Sequence, residues 1–337
     1  MKKTVRIISV IALVLTVLST VAILLCTTVL RDFAVHLFYG EIMNIYIPYY
    51  IHLPVILSQL ATLFVVFFAF LGVNTKGKFF VIEILAVVAL MGLPFVNTMI
   101  TYATQGVINS MGAKFIVMAA QVNNICSFIT PISTAASAVM VLCCGMSIPV
   151  KQSAVYMPEM QDMAFRKAER SKKTAGMLMT VATAVMALAM LFVLVAVVFR
   201  VKMAELVGTP ADVMAYVQSG RAIPWETVIY ILVTFAACIF VLALSGSGSC
   251  AGEVLFIVLI GVAMPFISHI LTFVIMLLIG NYVGDGLLAA RGSVQSLFAI
   301  ATLPMNIAKT LAYLACGMSI SAKRILKKNV FEAVVQK

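Results

Sequence analysis

Eight long apolar stretches divide the chain, each bounded by polar or basic residues. They run from Ile7 to Leu30, Ile51 to Val73, Phe79 to Thr104, Val122 to Ile148, Thr174 to Phe199, Pro224 to Leu244, Gly252 to Gly280 and Val294 to Ile320. An α-helix needs ~20 apolar residues to cross a hydrocarbon core of about 30 Å. None of the stretches alternates apolar and polar positions as a transmembrane β-strand does. The pattern predicts an all-α integral membrane protein with eight transmembrane helices. The first stretch follows Lys2, Lys3 and Arg6 and so resembles a signal peptide. Its length, and a counterpart that lies mid-chain at Thr174 to Phe199, predict instead a retained first helix.

The connections are short and distinctive. Arg31 to Tyr50 carries Tyr46, Tyr49 and Tyr50, suited to an interfacial aromatic belt. Asn74 to Lys78 is a tight basic turn, and Ser245 to Ser249 a flexible one. Thr209-Pro210-Ala211-Asp212 predicts a helical turn within the connection from Arg200 to Ile223. Pro158-Glu159 predicts the start of a short amphipathic helix lying on the membrane and leading into the fifth span.

Landmarks recur at an interval near 172 residues. Cys144-Gly145-Met146-Ser147-Ile148 returns as Cys316-Gly317-Met318-Ser319-Ile320, with Lys151 and Lys323 at the same distance beyond. Lys2-Lys3-Thr4 returns as Lys172-Lys173-Thr174, and Leu93-Pro94-Phe95 as Met264-Pro265-Phe266. A fixed period is the mark of a repeat architecture. The expected organisation is a four-helix membrane repeat over 1–148, a basic amphipathic linker over 149–173, a second four-helix repeat over 174–320 and a basic amphipathic tail over 321–337. Four spans per copy make the two repeats parallel, because inverted copies need an odd number.

Charge sets the orientation. The sequence holds 23 Lys and Arg against 12 Asp and Glu, a net charge of +11. With both termini inside, sixteen of the 23 fall on inner segments and six on outer loops. The positive-inside rule therefore predicts a multi-pass protein with cytoplasmic N- and C-termini, and the lack of an N-x-S/T sequon fits an expected place in the plasma (inner) membrane. Basic residues at helix ends are not the clustered face of a nucleic-acid-binding module, so a nucleic-acid partner is excluded. Only 10% of residues are charged, 63% are hydrophobic, and mean hydropathy is +1.14. The seven cysteines lie in or beside apolar stretches without zinc spacing or a disulfide framework. No metal site and no cofactor is expected, and an enzyme is disfavoured, because no P-loop, nucleophile elbow or H-E-x-x-H motif occurs.

The candidate chemistry is sparse. Lys309 lies deep in the eighth span, where a charge costs at least ~2.5 kcal/mol on insertion scales. It answers to the small stretch Thr134 to Ser137 in the first copy, so it breaks the symmetry. Its bland reading is a bond to carbonyls freed by Pro304. His269 lies in the seventh span, with Thr98, next to Asn97, as its counterpart. If the last two spans pack side by side, His269 and Lys309 share one cavity suited to a small anionic solute or a proton. The bland reading of His269 is a hydrogen-bonded structural residue. Lys309, His269, Asn97 and Thr98 are the candidate substrate-binding residues. Glu83 and Glu253 take matching places near the cytoplasmic starts of the third and seventh helices, as a gate or simply as acids at positive helix ends. The matched prolines, Pro94 with Pro265 and Pro131 with Pro304, predict kinks. The polar run from Gln121 to Ser137 suits a cavity lining or interhelical contacts.

Two functions fit. One is a transporter-like or permease-like protein with a site between the repeats. The other is a non-transporting scaffold, sensor or accessory subunit with a membrane-protein partner. The lipid bilayer is a partner in either case.

Overall fold

The computed structural model describes residues 2–28, 52–75, 80–109, 113–153, 161–207, 209–218, 223, 225–245, 247–279 and 285–335. Every regular element among them is helical. In order these are α1 (Lys2–Thr28), α2 (Leu53–Asn74), α3 (Phe80–Asn109), α4 (Ala113–Ser153), α5 (Gln161–Val207), α6 (Pro210–Gln218), α7 (Trp225–Ala243), α8 (Ala251–Phe256), a π-helical segment (Ile257–Ala263), α9 (Met264–Ile279) and α10 (Asp285–Val335). The chain divides into two compact units, Met1–Lys167 and Ala168–Lys337.

Among the described residues, six helical stretches are long and apolar enough to cross a membrane: Lys3–Thr28, Leu53–Asn74, Phe128–Lys151, Phe165–Phe199, Trp225–Ala243 and Ala251–Leu271. They coincide with six of the eight predicted spans. The third predicted span falls on α3, where Val81–Asn97 is the apolar helical stretch among the described residues. The eighth falls on α10. The chain is thus a polytopic, all-helical membrane protein. The predicted connection from Arg31 to Tyr50 lies outside the described residues.

Burial is distributed as a bilayer demands. On α1 the buried positions are mostly small or hydroxylated, among them Ser9, Ala12, Thr16, Ser19 and Thr27, while Ile7, Ile11, Leu18 and Leu25 are exposed. On α5 the buried seam is Ala175, Met179, Ala182, Met186, Ala189, Val193 and Ala196, in steps of three and four, and Leu188, Leu191, Leu194 and Val198 point outward. A soluble helix would bury the large residues. In lipid the large side chains are equally well solvated outside, and small residues let helix backbones approach. Hydroxyls are satisfied within their own helix, as in Thr16 to the Ala12 carbonyl at 2.9 Å and Thr20 to the Thr16 carbonyl at 2.7 Å. The Gln59 amide of α2 donates to Ser19 and Thr20 of α1 at 3.0 and 3.1 Å, fixing that pair of helices.

Two helices outrun the membrane by a wide margin. At ~1.5 Å per residue, the 47 residues of α5 and the 51 of α10 extend well past a ~30 Å core. The separate surface helix expected before the fifth span is instead the first part of α5. Nothing between Gln161 and Thr174 breaks a helix, and Ala164, Lys167, Ala168, Glu169 and Arg170 favour one. For the same reason α10 continues through Ile320 into the basic tail. The turn expected at Thr209 is present as the start of α6, with the Val213 N–H donating to the Thr209 carbonyl at 3.0 Å.

Candidate functional site: two buried ion pairs and a buried lysine

In the first unit, Glu83 sits in the first turn of α3 and is fully buried. Lys151, near the end of α4, donates both to the Glu83 carboxylate and to the Gly72 carbonyl in the last turns of α2. Ser147, one turn earlier on α4, donates to the Cys144 carbonyl of its own helix at 3.0 Å. Three helix ends are therefore tied at one point. The approach is tight: a Cβ on Gly72 would lie 2.8 Å from the Glu83 Cγ. Glycine is required there by the space and not by its backbone angles.

The second unit repeats the glutamate–lysine pair and adds a serine to it. Lys323 of α10 meets the Glu253 carboxylate of α8 at 2.7 Å, with both side chains almost wholly buried. It also donates to the Ser249 carbonyl at 2.7 Å. Ser319 donates to Glu253 at 2.6 Å. In both units the second carboxylate oxygen, Oε2, is buried without a hydrogen-bond partner among the described residues. The acid-at-a-helix-start reading of Glu83 and Glu253 is thus incomplete, since each also has a lysine and Glu253 a serine as well. Lys151, Lys323, Ser147 and Ser319 were not singled out from sequence as functional. The signal was present: both lysines follow the repeated five-residue motif at one distance, and both serines are inside it.

The deeper site belongs to the second unit. Lys309 of α10 is 8% exposed. Its ammonium donates to the Tyr230 hydroxyl of α7 at 3.4 Å and lies 4.4 Å from the centre of that ring. Lys309 is fourteen residues before Lys323, which is about 21 Å along the helix axis. A desolvated cation–π contact offers ~2 kcal/mol, comparable with the ~2.5–3.5 kcal/mol that insertion of the charge costs. Tyr230 therefore accounts for the lysine being tolerated, in place of the carbonyls near Pro304. It does not account for a lysine being there.

The neighbouring helical run from α8 into α9 changes register. Between Ile257 and Ala263 it is π-helical, and the Met264 N–H bonds back to the Leu259 carbonyl. In that register the next carbonyl, Ile260, needs the N–H of Pro265, which proline lacks. The Tyr313 hydroxyl of α10 supplies the missing donor to the Ile260 carbonyl at 3.2 Å. Broken helical bonding within a membrane persists only where protein re-satisfies it, and Tyr313 does so. The other three prolines behave differently: Pro94, Pro131 and Pro304 lie inside helices that continue through them.

The remaining predicted residues are placed as follows. His269 is half-buried on α9, and Asn97 is half-buried on α3. The side chain of Thr98 lies outside the described residues, as do those of Gln121, Asn123 and Asn124. Among the described residues no group of His, Cys, Asp or Glu is arranged to hold a metal ion.

A cavity of about 430 Å³ opens in the second unit at the end where its basic residues gather. Glu253 and Ser319 line it, with Lys172 and Lys173 of α5 and Ser245 beyond α7. Comparison with protein-family models, with curated proteins and with solved structures finds no match.

Proposed function

We propose that this protein is a transporter-like membrane protein built from two parallel four-span repeats, with its working site in the second. The observation that carries this reading is Lys309: a buried cation deep in α10, held by a tyrosine, beside a span with a break in its helical bonding. Ionisable residues at such depth mark solute or proton pathways by default, and π-helical segments occur often at functional sites. The duplication is supported by the matching Glu–Lys pairs, one in each unit. The first unit has Thr134 to Ser137 and Val141 at the positions that answer to Lys309 and Tyr313, so the second copy has gained the polar machinery. The Glu–Lys pairs act as latches at the inner end of each repeat, the inner side being the one with most basic residues. A small anionic solute or a proton is the expected cargo, with His269 as a second contributor.

The test is flux in proteoliposomes across a panel of inorganic and organic anions, with and without a pH gradient. Lys309→Met removes the charge and keeps the volume. Loss of a saturable wild-type signal in that variant supports the reading. Undiminished flux in the variant removes Lys309 from the mechanism.

A second reading, the scaffold or accessory subunit, is favoured by the ion pairs themselves. Each ties helices within one unit, as a permanent staple does. It predicts no flux from wild-type protein and stable co-purification of a membrane partner.

A further inference from the structure

We propose that the 430 Å³ cavity of the second unit is a binding site for a phosphate ester, delivered either by a membrane lipid headgroup or by a soluble organic phosphate. Lys172 and Lys173 line the cavity, and Lys172 is half-buried. Of the two acids in the wall, Glu253 is neutralised by Lys323 at 2.7 Å. Glu169, one turn from the lysines on the same exposed face of α5, offsets one of them. The balance is positive, so the site attracts an anion.

The donors fit an ester oxygen cluster. Lys172, Lys173 and Ser245 bring two ammonium groups and a hydroxyl to the lining, while the Ser319 hydroxyl already donates to Glu253 at 2.6 Å. Ammonium groups are common phosphate partners. Glu253 keeps Oε2 without a partner among the described residues. A hydroxyl or ammonium on the alcohol side of the ester would provide the missing donor.

The remaining wall is apolar. Ala175, Met179, Val241, Leu242 and Ala315 continue from the polar mouth into the level of the spans. A polar mouth above an apolar wall suits an amphiphile whose phosphate stays at the membrane surface. Basic pockets between membrane helices bind lipid headgroups on the same principle. Gly176 lines this wall, and a Cβ there would meet nothing within 4 Å. The space beside it is open.

The experiment is native mass spectrometry of the full-length chain released from detergent. It is titrated in turn with phosphatidylglycerol, phosphatidylethanolamine, phosphatidylcholine, glycerol phosphate and inorganic phosphate. Three variants accompany the wild type: Lys172→Gln/Lys173→Gln, Gly176→Leu, and the control Arg324→Gln/Lys327→Gln, whose residues do not line the cavity. The expected result is one retained phosphatidylglycerol or phosphatidylethanolamine per chain, weakened about tenfold by either cavity variant and unchanged in the control. Phosphatidylcholine, whose headgroup has no proton donor, is retained less. Retention of glycerol phosphate with no lipid preference assigns the same site to a soluble ester. Gly176→Leu leaves every charge in place, so its loss of binding cannot come from altered topology. Equal retention of all ligands by wild type and both cavity variants would overturn the proposal.

Discussion

Replacing Lys323 with methionine isolates the energetics of the buried ion pair. In water-like surroundings the pair would be worth little, but both side chains are almost wholly buried at a separation of 2.7 Å. At an effective dielectric constant of about 20, Coulomb's law gives roughly 6 kcal/mol of attraction at that distance. Desolvation of each ion takes back several kcal/mol, so the intact pair contributes little net stability. Removing one partner is different. Lys323→Met leaves the Glu253 carboxylate buried with only the Ser319 hydroxyl, and strips the Ser249 carbonyl of its donor. The expected loss is ~3–5 kcal/mol. The double variant Lys323→Met/Glu253→Leu removes both charges and is expected to recover most of that loss, because well-packed apolar pairs replace buried ion pairs at little cost. The assay is reversible unfolding of the full chain in mixed micelles, followed by circular dichroism and by the fluorescence of Trp225, the single tryptophan. A Lys323→Met variant within ~1 kcal/mol of wild type, or a double variant no better than the single, would refute the reasoning.

Other outcomes follow from the same geometry. Gly72→Ala forces its Cβ to 2.8 Å from the Glu83 side chain, and an overpacking loss of ~1–3 kcal/mol is expected in the same unfolding assay. Tyr313→Phe leaves the Ile260 carbonyl without a donor, which costs about 1–3 kcal/mol; faster amide exchange over Ile257–Ala263 is the local sign. Cys250, kept as the sole cysteine, lies between two spans and is half-exposed. A membrane-impermeant maleimide is expected to label it only from the cytoplasmic side. Burial is the main cause that pushes this thiol above its ordinary value, with Glu253 adding to it. Thiolate is the reactive form, so labelling is slow near neutral pH and speeds up as pH rises.

The sequence shows the apolar stretches plainly because a bilayer imposes one length on every span. It also shows Glu83 and Glu253 at matching places. What it hides is pairing between helices that lie far apart in the chain. Lys151 reaches Glu83 across 68 residues, and Lys309 reaches Tyr230 across 79. Only packing chooses Tyr230 over the carbonyls near Pro304 as the partner of Lys309. The π-helical segment is hidden for a related reason. Four prolines look alike in the sequence, yet only at Pro265, among the described residues, does a tyrosine on another helix fill the orphaned carbonyl and stabilise a register change. Helix ends were misjudged where polarity changes without a helix breaker. Gln161 to Val207 is one helix because hydropathy marks the membrane boundary, whereas backbone propensity marks the helix end.

The most direct test of Lys309 as the working centre is electrical. Proteoliposomes carrying wild-type protein or Lys309→Met are adsorbed on a solid-supported membrane and challenged with steps of pH and of anion concentration. Wild-type protein is expected to give a saturable current that is lost in Lys309→Met, with the unfolding stability of the two proteins alike to within ~1–2 kcal/mol. A full-size current in Lys309→Met, or no current from wild type under any step, would contradict that role.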